Sequence, residues 1–275
     1  MIISATMTPN PTCLGPILFT GDIAESLKQI AETGYRGVEL HISSPHHLDM
    51  EQLSYLLSKH DLTLTSIGTG LSFADEGLSF SRDDEKIRER AVQRIKDIID
   101  LFGDLKPAII IGTIKGNLAS AEDPDIARSR IREALTECAA YAAKTGLDLV
   151  LEAINRYEQD YLNTLAESAA LIDAIGASNI KTHADVFHMN IEEADMFDAL
   201  HRYRDYLGHL HFADNNRLSP GQGQIDFKRI LKTLDSIGFQ GNIGVECMPV
   251  PDGKTAAVRS YQYLSTMAQQ LGISI

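Results

Sequence analysis

Glu152, Asp185, His211 and Glu246 each stand at or near the end of a short aliphatic run, LDLVLE, NIKTHAD, GHLHFAD and NIGVEC, with separations of 33, 26 and 35 residues. A glutamate at the end of a run that reads as a buried strand is a physical puzzle, because an unpaired carboxylate is costly to bury. A cation shared by the four side chains would resolve it, since it offsets carboxylates that otherwise repel one another. Three oxygen-bearing ligands with one imidazole suit divalent Mn, Mg, Co or Fe better than a thiolate-selected metal, and Zn also fits. Strand alternation turns His209 and His211 the same way, so either is a candidate ligand; His211 stands nearer the strand end and is preferred. The same alternation places Glu39 with His41 and His183 with Asp185, either as ordinary buried polar pairs or as groups that orient the ligands from behind.

Other polar residues follow these run ends. Glu158, six residues after Glu152, is either a hydrogen-bond acceptor for a bound ligand or the cap of a helix beginning near Asp160. His188, in DVFHMN, is expected in the loop just after the sixth run. Arg217, six residues after His211, can bring a guanidinium fork back over the same point. Lys115, in IIIGTIKGN, follows the fourth run and faces either ligand or solvent. The GTIKG stretch lacks the GxxxxGK[ST] arrangement of a phosphate-binding loop.

The runs belong to a regular alternation. Strand-like segments at 2–6, 36–41, 62–68, 107–112, 147–152, 179–185, 208–214 and 242–247 alternate with amphipathic stretches at 22–34, 48–60, 84–102, 124–145, 160–176, 192–206, 226–237 and 253–271. Eight such units in 275 residues predict an α/β protein whose residues 1–275 form a single (β/α)8 barrel, with its site at the carboxyl ends of the strands. A formal charge of −13 without a Lys/Arg stripe argues against a nucleic-acid partner. Cys13, Cys138 and Cys247 are odd in number and lack metal-binding spacing, which fits a reducing, cytoplasmic compartment. No apolar run approaches the roughly 18 residues of a membrane span, and no leader is evident, so no membrane association is expected.

The stretches LEAINRYEQDYLNT, HADVFHMNIEE, HLHFADNNRLSPGQGQIDF and VECMPVPDG resemble the ketose 3-epimerase group, the D-tagatose and D-psicose 3-epimerase-like members of the xylose-isomerase-like TIM barrels. With IGTG at 67–70, GLSF at 77–80, FG at 102–103 and PGQG at 220–223, the pattern is most similar to the 5-keto-L-gluconate epimerase branch. The resemblance implies one divalent metal, commonly manganese, held by Glu152, Asp185, His211 and Glu246. It also implies that Glu152 and Glu246 flank C3 of a ketose, and that Glu158, His188 and Arg217 contact substrate oxygens. Relatives of this kind are usually homodimers or homotetramers. His183 departs from the pattern, which usually has an aliphatic residue there.

The chemistry implied is isomerisation by C3 epimerisation. One glutamate removes the proton beside the ketone, the other returns a proton to the opposite face, and the cation stabilises the enediolate. Lys115 with Arg217 would favour a keto-sugar acid, with 5-keto-L-gluconate going to D-tagaturonate as the preferred reaction. The alternatives are a D-tagatose or D-psicose 3-epimerase acting on neutral ketoses, an aldose-ketose isomerase, a cyclitol-ketone dehydratase, and a non-catalytic sugar-binding barrel.

Overall fold

The computed structural model describes residues 1–13, 15–46 and 48–275. The chain runs β1 (Ile3–Thr8), the two-residue β2 (Phe19–Thr20), α1 (Ile23–Thr33), β3 (Gly37–His41), α2 (Met50–Lys59), β4 (Thr63–Gly68), α3 (Gly70–Glu76) and α4 (Glu85–Phe102). It continues through β5 (Ala108–Ile111), α5 (Pro124–Ala142), β6 (Leu149–Glu152), α6 (Leu165–Ile175), β7 (Ile180–Asp185) and α7 (Val186–Glu192). The last elements are α8 (Met196–Arg202), β8 (Leu207–Phe212), α9 (Phe227–Ser236), β9 (Asn242–Val245) and α10 (Gly253–Leu271). Strands pair in parallel around the sheet, and β9 returns to β1 through Ile3↔Ile243, Ser4↔Gly244 and Ala5↔Val245. Among the described residues only β2 stands outside the ring, against Met7 and Thr8 at the end of β1, so eight strands close a (β/α)8 barrel.

Alternation along the strands divides the chemistry between two sides. Val38, Leu40, Leu149, Leu151, Leu210, Phe212, Ile243 and Val245 are buried in the apolar layer shared with the helices. The intervening Glu39, His41, His183, Asp185, His209 and His211 are buried as well, and their mutual hydrogen bonds and ring contacts place them inside the barrel. Room for them comes from missing side chains opposite. A Cβ on Gly68 would stand 2.4 Å from the His41 ring, and one on Gly244 would stand 2.8 Å from Glu39 and 2.9 Å from His211.

Many of the aspartates that make the chain acidic stand at helix starts. Asp22, Asp49, Asp84, Asp123, Asp195, Asp226 and Asp252 each accept a backbone N–H from the first turn of the helix they precede. α6 begins with a reciprocal Thr164–Glu167 capping box at Leu165. Glu158 therefore does not cap a helix near Asp160, and that expectation is corrected. His188 is corrected too: it lies within α7, not in a loop. The strand-final Asp185 is itself the N-cap of this seven-residue helix, so no polar break separates strand from helix in the sequence. The stretch expected as one helix over 192–206 instead holds the shorter α8 and a 3-10 turn at Arg204–Tyr206. No helix among the described residues is long and apolar enough to cross a membrane.

The PGQG turn has a local cause. Asp214, fully buried just beyond β8, accepts the backbone N–H groups of Asn215, Gly221, Gly223 and Ile225 at 2.7–3.1 Å. A Cβ on Gly223 would stand 2.3 Å from an Asp214 oxygen, so this chain reversal closes only around glycine. Replacing Asp214 with Ala leaves buried donors unpaired and is expected to cost on the order of 3 kcal/mol. A urea unfolding midpoint equal to that of the parent protein would contradict this account.

Candidate metal and catalytic site

Glu152 and Asp185 are the last residues of β6 and β7, His211 is the penultimate residue of β8, and Glu246 follows β9 directly. One ligand atom from each lies within 4.8 Å of the others. His211 Nδ1 is 3.3 Å from Glu246 Oε2 and 3.9 Å from both Glu152 Oε1 and Asp185 Oδ2. It is buried without a hydrogen-bond partner, whereas Nε2 of the same ring is 2.7 Å from Glu39 Oε1. An orphaned imidazole nitrogen facing three carboxylates fits a divalent cation, whose ligand bonds are about 2.0–2.2 Å for the smaller ions. His209 lies outside this group, with Nε2 2.8 Å from Glu39 Oε2.

Arg217 enters from the loop after β8. Its Nη1 donates to Asp185 Oδ2 at 2.6 Å, its Nη2 donates to Glu246 Oε2, and its guanidinium stacks 4.6 Å from the Phe187 ring centre. Asp185 is held from both sides, because its Oδ1 accepts the N–H of Phe187 at 2.8 Å. The two glutamates have opposite electrostatic surroundings. Burial, reinforced by Glu246 and Asp185, pushes Glu152 up to about 8 against the pull of His211 and Lys115. Burial also opposes the charge on Glu246, but His211 and Arg217 outweigh it and bring that carboxyl down to about 2.

A cavity of ≈ 170 Å³ opens over this cluster, walled by Glu152, Glu158, His188, His211, Arg217 and Glu246. His188 is buried, with Nε2 3.7 Å from Asp185 Oδ2 and 3.9 Å from Glu152 Oε1. Burial lowers its pKa against the opposing charge of Asp185. Glu158 is half exposed. Lys115 is fully buried and donates to Gly112 O at 3.4 Å; it is not part of the cavity wall. Burial lowers its ammonium to about 8 although Glu152 and Glu158 favour the charge.

Three contributors were not singled out as site residues by the sequence. Asn155 bridges Glu158 Oε1 at 2.8 Å and His188 Nδ1 at 2.7 Å, and its only sequence signal is a polar residue soon after a strand end. Gly112 ends the fourth apolar run, and a Cβ there would stand 2.5 Å from Glu152 Oε2. Thr113, next to it, also lines the cavity. His183, the departure noted in the sequence, is fully buried with neither ring nitrogen hydrogen bonded. Its ring meets His211 edge-on at 4.0 Å, and burial followed by its histidine neighbours keeps it neutral by lowering its pKa well below the usual range.

Residues 27–267 match the family described as xylose isomerase-like TIM barrel. The chain belongs to that family. Among relatives of this barrel, L-ribulose 3-epimerase from Mesorhizobium japonicum is 30% identical over 82% of this chain and 75% of its own length. A ketose 3-epimerase from Arthrobacter globiformis is 28% identical over 82% of this chain and 77% of its own. The solved structure of 3-keto-D-glucoside 4-epimerase from E. coli, in its apo form, superposes with a TM-score of 0.83 at 25% identity, covering 97% of this barrel and 99% of that chain.

Gly112 provides a test of how tightly the cavity is built. Gly112→Ala is expected to displace the Glu152 carboxylate, the mobile partner in the close approach, while leaving the barrel folded. Turnover should fall by about 10²-fold or more, as when a positioned proton-transfer group is lost, with little change in the thermal unfolding midpoint. Full turnover in this variant would show that Glu152 has room to spare.

Proposed function

We propose that the protein is a divalent-metal-dependent epimerase that inverts a carbon beside a ketone, acting at C3 of a ketose or hexulosonate. The protein is an isomerase, as its named carbohydrate-epimerase relatives support. The observation that carries the finer reading is the convergence of Glu152, Asp185, His211 and Glu246 around an unpartnered His211 Nδ1. These four residues would hold the cation, manganese being preferred. When bound, the cation supplies electrostatic stabilisation of the negative charge that develops beside the carbonyl as the proton leaves.

The chain's own residues do the rest. One of the Glu152 and Glu246 carboxylates accepts the C3 proton, and the other returns a proton from the opposite face, the roles exchanging with direction. His188, aligned by Asn155, and Glu158 offer hydrogen bonds to substrate hydroxyls. Arg217 offers a fork to substrate oxygens or a carboxylate. Its place in the cavity wall and the resemblance to the 5-keto-L-gluconate epimerase branch support 5-keto-L-gluconate, converted to D-tagaturonate, as the preferred substrate. Lys115 adds positive charge from behind Gly112. Residues 1–275 act as one domain, and a homodimer or homotetramer is expected by light scattering.

A second reading is favoured by the 3-keto-D-glucoside 4-epimerase, whose structure superposes over nearly all of both chains. In that reading the same proton chemistry would act at C4, beside a C3 ketone. Incubating ketoses, hexulosonates and 3-keto-glycosides in deuterated water separates the two: deuterium at C3 with inversion supports the first reading, and deuterium at C4 the second. Deuterium at C2 with an aldose product would mark an aldose-ketose isomerase instead.

Glu152→Gln and Glu246→Gln should each lower turnover by about 10²- to 10⁴-fold, and metal-free protein should be inactive until a divalent ion is restored. Full turnover in protein shown to be free of metal would end the proposal. Binding of the cation must also displace protons. Glu152 is raised to about 8 in the metal-free protein, so it carries a proton below that pH and loses it above. Metal affinity is expected to rise by up to about tenfold per pH unit as pH climbs toward 8, then flatten in this contribution. Calorimetric titrations across pH 6 to 9 in buffers of different ionisation enthalpy count the protons released.

A further inference from the structure

We propose that Glu39 is the positioning residue of the site: its carboxylate sets the ring orientation and tautomer of His211, so that Nδ1 presents a lone pair toward Glu152, Asp185 and Glu246. This inference rests on the metal-dependent reading above.

Glu39 lies on β3, meets the Nε2 edge of His211 while the cavity carboxylates face Nδ1, and is fully buried. Four groups converge on it. Its Oε1 accepts from His41 Nε2 at 2.8 Å and His211 Nε2 at 2.7 Å, and its Oε2 accepts from Ser66 Oγ at 2.6 Å and His209 Nε2 at 2.8 Å. An ionised carboxylate has no proton to give, so every one of these contacts requires the neighbour to be the donor. The proton of a neutral His211 ring is thereby placed on Nε2, and Nδ1 is left bare.

The surroundings leave the His211 ring little alternative. His183 packs edge-on against it at 4.0 Å and 88°. On the β9 side, Gly244 withholds a Cβ that would stand 2.9 Å from its Cδ2. Nδ1 then faces Glu246 Oε2 at 3.3 Å, with Glu152 Oε1 and Asp185 Oδ2 at 3.9 Å, and has no hydrogen-bond partner of its own. Without the Glu39 acceptor, the proton on Nε2 loses its buried partner. Moving it to Nδ1 would direct a donor at the place a ligand lone pair is needed. Ser66 and His209 bond the other oxygen, so they support Glu39 without a hydrogen bond to His211.

The test uses the full-length protein stripped of metal and titrated with Co²⁺, read by calorimetry and by the visible absorption of the bound ion. Glu39→Leu, which removes the acceptor, should weaken Co²⁺ binding by about 10- to 100-fold and change the absorption spectrum. Glu39→Gln, which can keep a neutral acceptor, should fall between Glu39→Leu and the parent. Ser66→Ala, which leaves Oε1 and its contact with His211 in place, should lose less affinity than Glu39→Leu. Unchanged affinity and spectrum in Glu39→Leu would overturn the inference. So would an equal loss in Ser66→Ala, which would mark the whole network as merely structural. A parent protein that takes up no Co²⁺ would instead refute the metal-dependent reading. Should Glu39→Leu fail to fold, the Zn²⁺-loaded parent labelled with ¹⁵N-histidine decides: His211 is expected with metal on Nδ1 and a proton on Nε2, and the reverse assignment overturns the inference.

Discussion

Three carboxylates and an imidazole brought within 4.8 Å at the carboxyl-end mouth of a barrel repel or desolvate one another unless positive charge sits among them. In this structure that charge comes from Arg217, which bonds Asp185 and Glu246 together. A buried guanidinium between two carboxylates is a workable substitute for a cation because its fork supplies directed hydrogen bonds as well as charge. The same loop position leaves Arg217 at the edge of the cavity, so one side chain both neutralises the cluster and lines the cavity wall.

The four side chains are not held alike. Asp185 is fixed through its cap on α7 and through Arg217, and His211 through Glu39. Glu152 meets His188 and His211 only at 3.9 Å, and Glu246 is held mainly by Arg217. Asp185 and His211 are thus bonded from behind, whereas Glu152 has only the 3.9 Å approaches and Glu246 only Arg217 and the 3.3 Å approach of His211.

Around this cluster the loops at the strand ends brace one another. Asp160, after β6, accepts the N–H groups of Leu118 and Ala119 in the loop after β5, at 2.6 and 2.8 Å. Arg156 forms a fork with Glu192 at the end of α7, and Glu193 accepts the N–H of Leu165 at the start of α6. Met248 N donates to Arg217 O at 2.8 Å, which links the loops after β8 and β9. Loops fastened in series around a cavity of ≈ 170 Å³ keep its wall in register without relying on any single loop.

Much of this could be read without coordinates. Aliphatic runs alternating with amphipathic stretches leave few options but a closed parallel barrel, and a barrel sends strand-end residues to one mouth, so Glu152, Asp185, His211 and Glu246 were legible from spacing alone. What spacing could not decide was direction and distance. His209 and His211 share a face, and only the positions of Glu39 and the three carboxylates separate their surroundings. α7 was hidden because its cap is the last residue of a strand, and Glu158 lost its expected capping role because the helix begins later, at Leu165. Gly112 and Gly244 matter through the side chains their missing Cβ atoms admit, and Lys115 is buried by packing that local composition does not encode. Periodicity is a property of neighbours in the chain; hydrogen bonds between β3 and β8, or clearance between β5 and β6, exist only once the barrel has closed.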